Sequence, residues 1–320
     1  MDLSVTNDLL ENLIRGDIRS LARTITLVEN RSSEGLEILR RLFPQTGRSR
    51  IIGITGSPGA GKSSLVDRLA ALYRRKNKTL AIIAIDPSSP FTGGAVLGDR
   101  IRMNALATDP GVFIRSMATR GHLGGLAVAT ADVVSVLDAA SKDPILVETV
   151  GVGQDEIDIV KLADISVVVL VPGMGDDVQA LKAGIMEIGD VFVINKCDRP
   201  GVEKMEHAIQ TLLSLAHRPD GWVPPVVKTV AIEDGGVEEL AETIDRSWEH
   251  FQTGERRLQK LRSTARQRLL SLLQERLVRK ALDTAFPSDK LERVIDQIAR
   301  READPYSIVD DLVRRARFET

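Results

Sequence analysis

The sequence has few of the residues on which disulfide-bonded, metal-binding and base-stacking proteins depend. Its 320 residues include one cysteine, so no internal disulfide can form, and four scattered histidines that show no metal-ligand spacing. Aromatic residues make up 3%, too few for a base-stacking surface, and the formal net charge of -2 gives no general attraction to phosphate backbones. We therefore expect a reducing compartment and no nucleic-acid partner.

Long hydrophobic runs are also missing. The longest apolar stretch, residues 165–171, is far shorter than the ~18 residues of a membrane-spanning helix and is typical of a buried strand. The first residues include Asp2 and Asp8, where a secretory signal has basic residues. We expect a cytoplasmic protein without a membrane segment.

What the sequence does contain is a regular alternation of helical and strand patterns. Residues 7–43 have apolar positions at helical spacing, interrupted near Gly16 and Ser32, which predicts three short helices. Short β-branched runs then alternate with helical segments up to about Ala231, and several are apolar throughout, which is typical of parallel strands covered on both faces. The predicted strands cover residues 51–55, 79–85, 112–115, 145–150, 166–171, 191–195 and 226–230.

These patterns predict an α/β fold, a doubly wound and mainly parallel sheet with helical N- and C-terminal extensions. We place the N-terminal extension at 1–45, the α/β domain at 46–250 and the C-terminal extension at 251–320. The last part contains 16 basic and 11 acidic residues, which indicates either a solvated surface or a basic arm for an acidic partner.

The C-terminal extension begins with a predicted amphipathic helix over residues 255–280. Its apolar stripe needs a cover, either another subunit or the protein's own sheet. The predicted stripe consists of Leu258, Leu261, Ala265, Leu269, Leu272 and Leu277.

A phosphate-binding loop is the strongest motif in the chain. The segment GSPGAGKS fits G-x-x-x-x-G-K-[ST] and lies between a predicted strand and a predicted helix. Glycines let successive backbone N–H groups turn inward, and the helix N-terminus adds its positive end. Lys62 is placed to supply charge to the β- and γ-phosphates, and the Ser63 hydroxyl to ligate Mg²⁺. The predicted nucleotide-contacting residues are Gly56, Ser57, Pro58, Gly59, Ala60, Gly61, Lys62, Ser63 and Ser64.

A second motif, NKCD at residues 195–198, predicts which base is bound. It follows the apolar strand 191–195, where an aspartate carboxylate can accept from both N1–H and the N2 amine of guanine. Adenine offers no such pair of donors, so Asp198 predicts GTP. Asn195 would brace the loop and meet the N7 edge, while the stem of Lys196 would lie along the base plane.

Three acids fit a magnesium ion, which prefers oxygen ligands from one or two carboxylates, a hydroxyl, phosphate and water. Asp86 ends a predicted strand, Asp99 lies in a glycine-rich segment, and Glu148 precedes Gly151 in the sequence ETVG. Small GTPases have D-x-x-G at this place, so Glu148 occupies the position of the metal-linked aspartate, and the Gly151 amide is placed to sense the γ-phosphate.

The residue after that glycine predicts slow intrinsic hydrolysis. Many GTPases place a water-orienting glutamine there, whereas this chain has Val152, which cannot orient water. Gln154, Lys182 or a residue of a partner would have to supply that function.

Taken together, the segments GSPGAGKSS, IAIDPSSPFTGGAVLGDRIRM, ILVETVGVGQDE, VPGMGDDVQALKAG and NKCD resemble the MeaB/ArgK family of P-loop G proteins. These are chaperones of adenosylcobalamin-dependent acyl-CoA mutases, especially methylmalonyl-CoA mutase. The resemblance covers residues 45–245 and continues less distinctively into the helical ends.

The resemblance implies Mg²⁺·GTP binding, a homodimer joined through the C-terminal helices, and switch loops that couple hydrolysis to cofactor loading and protection of the mutase. It places the guanine O6 contact at Val230, Ala231 and Ile232, where the Ala231 N–H is the expected donor. The implied partner-facing switch contains Asp176, Asp177, Gln179 and Lys182. The candidate catalytic residues are Lys62, Glu148, Gly151 and Lys182.

Two other functions stay open at this point. A nickel-inserting metallochaperone GTPase would need a Cys/His site, and Cys197 with four dispersed histidines offers none. A small-molecule or protein kinase of the ArgK type, linked to amino-acid transport, would need a base for the acceptor proton, and no such group is visible. Acceptor-dependent loss of GTP would identify a kinase.

Overall fold

The computed structural model describes residues 3–86, 104–118, 125–149, 162–173, 189–215, 221–253, 255–285 and 290–315. It divides into two compact units at Thr264 and Ala265. Within the described ranges, no helix combines the length and apolar character that crossing a membrane requires.

Three helices precede the sheet, as the sequence predicts: α1 (Leu3–Ile14), α2 (Ile18–Glu29) and α3 (Ser33–Leu42). Polar caps separate them. The Asp17 carboxylate accepts from the Ser20 N–H at 2.7 Å, and the Ser32 hydroxyl oxygen accepts from the Gly35 N–H at 2.9 Å. Such caps satisfy the N–H groups that a helix start leaves without an internal partner.

A seven-stranded sheet follows, and every strand pairing in it is parallel. Its order is β3-β2-β4-β1-β5-β6-β7. The strands are β1 (Ile51–Gly56), β2 (Leu80–Asp86), β3 (Val112–Ala118), β4 (Ile145–Glu148), β5 (Ile165–Leu170), β6 (Val191–Asn195) and β7 (Val226–Thr229). The seven predicted strands and the doubly wound parallel sheet are confirmed.

Helices cover both faces of the sheet, which explains why the central strands are mostly apolar. The helices described between strands are α4 (Lys62–Arg75), α5 (Asn104–Ala107), α6 (Gly125–Ala139) and α7 (Val202–Leu215), and α8 (Val237–Thr253) follows β7. One core cluster joins one face of the central strands to α4 and α8. Another joins the opposite face to α6 and to the three N-terminal helices, so those helices share a core with the sheet.

The carboxyl ends of β1, β4, β6 and β7 meet at one edge of the sheet, because parallel strands end on the same side. Ligands of open α/β sheets bind at this edge. The loops that carry the phosphate-binding and NKCD motifs therefore lie next to each other.

The C-terminal helices are α9 (Glu255–Ala285), α10 (Lys290–Ala299) and α11 (Pro305–Arg315). The helix predicted over residues 255–280 is confirmed and extends to Ala285. The prediction of a single apolar stripe is wrong for Leu277, because 3.6 residues per turn place it about 100° around the axis from Leu258. Leu270 and Leu273, which the prediction omitted, are also exposed, at 51% and 49%.

Candidate nucleotide-binding site

The loop between β1 and α4 needs glycine at two close approaches. Gly56 has a φ of +147°, and a Cβ there would lie 2.1 Å from the Val169 carbonyl oxygen. Gly61 has a φ of +91°, and its Cβ would lie 2.3 Å from Asn195 Nδ2. Both positions are left-handed and crowded, so a side chain would push the loop away from its neighbours.

Lys62 is buried against the backbone of the same loop. The residue is 6% exposed, and its Nζ donates to the carbonyl oxygens of Gly56 at 2.7 Å and Ser57 at 3.1 Å. It is also the first residue of α4. A positive charge thus lies beside the positive end of a helix, which is the arrangement that binds anions such as phosphate.

The NKCD motif contacts the loop directly. Asn195 Nδ2 donates to the Ala60 carbonyl oxygen at 2.8 Å, and Lys196 Nζ donates to that of Gly59 at 2.6 Å. Lys196 has a φ of +58°. The structure therefore brings the predicted base-binding motif and the predicted phosphate loop into one site.

The other end of the Asn195 side chain binds the segment after β7. Its Oδ1 accepts from Thr229 Oγ1 at 3.0 Å and from the Ala231 N–H at 3.2 Å, and Asn195 is 2% exposed. Thr229 was not predicted from the sequence, although it directly precedes the predicted base-edge segment. The Ala231 N–H, predicted to meet guanine O6, donates instead to Asn195 Oδ1 in this structure. Its contact with a base stays a prediction.

Two residues at the rim of this site are open to solvent. Asp198 is exposed, and Ile232 is 69% exposed although it is a large apolar side chain. Val230 is half-buried, and its N–H donates to the Gly235 carbonyl oxygen at 2.9 Å. A purine base can therefore reach the Asp198 carboxylate without displacing the core.

The predicted metal ligands are joined in part. Ser63, in the first turn of α4, donates from Oγ to Glu148 Oε1 at 2.6 Å, and Glu148 is 4% exposed at the end of β4. A hydroxyl and a carboxylate are hard oxygen donors that suit Mg²⁺. No group of three or more His, Cys, Asp or Glu that could hold a metal occurs in the described ranges. Since Mg²⁺ keeps water and phosphate ligands, two protein donors fit it.

Comparison with known proteins identifies the family. A family model described as Methylmalonyl Co-A mutase-associated GTPase MeaB matches residues 21–285. The chain belongs to the MeaB family. A Pyrococcus abyssi protein that bears a GTPase name is 48% identical over 311 residues, with 96% of each chain covered. The chain is accordingly a GTPase with a P-loop fold.

Two further matches complete the comparison. The methylmalonic aciduria type A homolog, mitochondrial, of Caenorhabditis elegans is 36% identical over 273 residues, with 78% of this chain and 68% of the relative covered. A solved structure described as LAO/AO transport system kinase has a TM-score of 0.71 at 24% identity, with 98% of both chains covered. The second likeness concerns the fold alone.

Several predicted residues of this MeaB-family chain lie outside the described residues. Asp86 ends β2, as predicted, and pairs in register with Ala118 of β3, but its side chain is outside the described part. Eight other predicted residues lie wholly outside the described part: Asp99, Gly151, Val152, Gln154, Asp176, Asp177, Gln179 and Lys182.

One buried contact beside the site was not foreseen. Thr149 Oγ1 donates to Thr55 Oγ1 at 3.1 Å, and the two residues are 2% and 1% exposed. Thr149 directly follows Glu148, and Thr55 directly precedes Gly56. The only sequence feature that points to these two threonines is their position: Thr149 is next to the predicted metal ligand Glu148, and Thr55 is next to the loop glycine Gly56.

Cys197 lies inside the base loop and is partly exposed. Its Sγ donates to the Ile194 carbonyl oxygen at 3.0 Å. Burial raises the pKa of the Cys197 thiol, which opposes the thiolate form that soft metals bind. The residue therefore gives no support to a nickel-carrying function.

Proposed function

We propose that the chain is a GTP-hydrolysing chaperone that assists cofactor loading and protection of an adenosylcobalamin-dependent acyl-CoA mutase, such as methylmalonyl-CoA mutase. The observation that carries the nucleotide part is the Asn195 side chain, which bonds both the phosphate loop and the segment after β7. The family membership and the mitochondrial relative from Caenorhabditis elegans support the partner.

At the phosphates, Lys62 would supply positive charge and the first turn of α4 would supply N–H donors. Ser63 and Glu148 are joined by a hydrogen bond and would hold Mg²⁺, with Asp86 and Asp99 as further proposed ligands. The ion, when bound, neutralises charge that develops on the β- and γ-phosphate oxygens. Gly151 and Lys182 complete the proposed catalytic set.

At the base, Asp198 would accept from guanine N1–H and the N2 amine, and Lys196 would lie along the base plane. The variant Asp198→Asn tests this assignment, because an amide cannot accept both bonds. We expect GTP affinity to fall about a hundredfold while xanthosine triphosphate, which has a carbonyl in place of the N2 amine, gains affinity. Equal loss for both nucleotides would contradict the base assignment.

Phosphate release measured with Mg²⁺, alone and with a candidate acyl-CoA mutase, tests the whole proposal. We expect slow GTP hydrolysis that rises with the mutase, and no hydrolysis of the control nucleotide ATP. Unchanged turnover with every mutase tried would contradict the partner, and a preference for ATP would contradict the base. GTP loss that requires an acceptor, without release of phosphate, would indicate a kinase.

We further propose cytoplasmic residence and a homodimer joined through the C-terminal helices. Apolar side chains on α9 are exposed, including Leu269 at 66% and Leu273 at 49%. Light scattering of the wild type and of Leu269→Glu/Leu273→Glu tests the dimer, because two carboxylates cannot be buried in an apolar interface without large cost. A dimeric mass that persists in this variant would contradict the placement of the interface.

A further inference from the structure

Two buried hydroxyl groups meet where β1 and β4 end. Thr149 Oγ1 donates to Thr55 Oγ1 at 3.1 Å, and the Thr149 N–H donates to the Ile54 carbonyl oxygen at 3.0 Å. Thr149 therefore continues the pairing of β4 with β1 by one residue beyond the register of Ile54 with Glu148. Thr55 directly precedes Gly56, so both hydroxyls lie next to the start of the phosphate loop.

This contact lies on the opposite face of the sheet from the bond between Ser63 and Glu148. Successive side chains of a strand point to opposite faces. Ile54 belongs to the core shared with α4, where Ser63 lies, whereas Val147, two residues before Thr149, belongs to the core shared with α6. One hydrogen bond on each face thus joins β4 to the structure around β1.

Packing alone does not call for hydroxyls at these positions. The strand neighbours Ile52, Ile54 and Val147 are fully buried and apolar, and valine has almost the shape of threonine. A buried hydroxyl costs free energy unless it is paired, and a pair of hydroxyls confines the two backbones to one separation. The hydrogen-bonded pair therefore fixes the separation between the ends of β1 and β4, which two valines would leave to packing alone.

We propose that Thr149 and Thr55 are positioning residues for the metal end of the nucleotide site. By fixing the end of β4 against β1, they hold the Glu148 carboxylate where it accepts from Ser63 Oγ. Because that hydroxyl donates its hydrogen to Glu148, its oxygen lone pairs are left for Mg²⁺. The inference rests on the proposed function, since it assumes that Ser63 ligates the ion of a bound nucleotide.

The test compares Thr149→Val, Thr55→Val and the double variant with Thr149→Ser, which keeps the hydroxyl. The first readout is the dissociation constant of Mn²⁺, a substitute for Mg²⁺ visible by electron paramagnetic resonance, in the complex with GDP. We expect it to rise about fivefold in each valine variant, the factor that one neutral hydrogen bond is worth. In Thr149→Ser it should stay within twofold of the wild type.

The double variant separates positioning from an unsatisfied hydroxyl. If the bond positions Glu148, the double variant loses as much Mn²⁺ affinity as either single variant. If the single variants suffered only from an orphaned hydroxyl, the double variant would regain wild-type affinity, and the proposal would be overturned. Thr24→Val is the matched control, because Thr24 is equally buried but lies in α2. Its Mn²⁺ affinity should not change.

The second readout is GTP hydrolysis as a function of Mg²⁺ concentration. The valine variants should need about five times more Mg²⁺ for half-maximal rate, with smaller changes at saturating Mg²⁺. Unchanged Mg²⁺ dependence, or an equal defect in Thr149→Ser, would overturn the inference. A wild type that binds GDP·Mn²⁺ normally but hydrolyses no GTP would contradict the proposed function instead, so the two failures are distinguishable.

Discussion

The backbone groups at the two ends of β1 find hydrogen-bond partners in opposite ways. At the amino end, the consecutive N–H groups of residues 47–51 all donate to aspartate carboxylates. Those of 47–49 donate to Asp138, that of 50 donates to Asp143 and that of 51 donates to Asp164. Carboxylates occupy each of these five N–H groups, so this end anchors the chain and leaves none of the five for another anion.

At the carboxyl end the side chains are donors and the backbone accepts. The carbonyl oxygens of residues 56 and 57 accept from Lys62, that of 59 accepts from Lys196, and that of 60 accepts from Asn195. With its carbonyls turned to these groups, the loop can turn its N–H side toward a phosphate. One strand thus has carboxylate acceptors at its amino end and cationic and amide donors at its carboxyl end, and the type of side chain distinguishes the two ends.

The largest effect should come from removing the main cation at the carboxyl end. Lys62→Met deletes the charge beside the helix start, and we expect kcat/KM for GTP to fall about 10³-fold, as when a preorganised donor is lost from a dry site. The exposed Lys76, at the end of the same helix, gives the matched control Lys76→Met, which should keep wild-type activity. A loss of less than tenfold in Lys62→Met would contradict the assigned role.

The amino end should respond in stability rather than in binding. Asp138→Ala leaves three N–H groups without their acceptor, and we expect urea unfolding to show a loss of about 3 kcal/mol, with GDP affinity unchanged.

The exposed Asp198 offers the opposite case. Asp198→Ala should change stability by less than about 0.5 kcal/mol but abolish tight GTP binding. If both variants lost both properties, the two ends would not be functionally separate.

Local chemistry explains how much of this could be predicted from the sequence. Apolar β-branched runs predicted the seven strands, and glycine spacing predicted the phosphate loop, because neighbouring residues dictate both features. The NKCD motif predicted that Asn195 braces the base loop, and the structure adds that its side chain also bonds Ala60 of the phosphate loop.

The contacts that the sequence did not predict join residues far apart in the chain. Asp138 and Ser49 are 89 residues apart, and Thr149 and Thr55 are 94 apart. Such pairs exist only once strand order and register are known, since a one-residue shift turns a side chain to the other face. The apolar pattern of α9 failed only at Leu277, because the five-residue step from Leu272 turns it about 140° around the helix axis.

Asp164 makes the anchor dependent on pH. Burial raises its pKa to about 6, with Asp138 adding to the rise and the Ile51 N–H, Lys260 and Arg257 opposing it. Between pH 4 and pH 6, the folded state therefore holds a proton that the unfolded state, with a pKa near 3.8, has already lost. The contribution of Asp164 to stability is therefore present at low pH and decreases as pH rises.

The difference in free energy of unfolding between the wild type and Asp164→Asn reports this effect alone. We expect the wild type to lose about 2 kcal/mol relative to the variant between pH 4 and pH 7. Urea titrations at several pH values measure it. A constant difference across the range would show that Asp164 has an ordinary pKa.

The smallest effect should come from a hydroxyl that lacks the pairing seen at both ends of β1. Thr24 in α2 is fully buried, and within the described residues its Oγ1 has no hydrogen-bond partner. Replacing an unpaired buried hydroxyl with a methyl group removes a desolvation cost, so Thr24→Val should stabilise the protein by about 1 kcal/mol in urea unfolding. Nucleotide affinity should stay at the wild-type value. Destabilisation instead would mean that this hydroxyl is paired in solution, and that pairing of buried polar groups extends from β1 into the N-terminal helices.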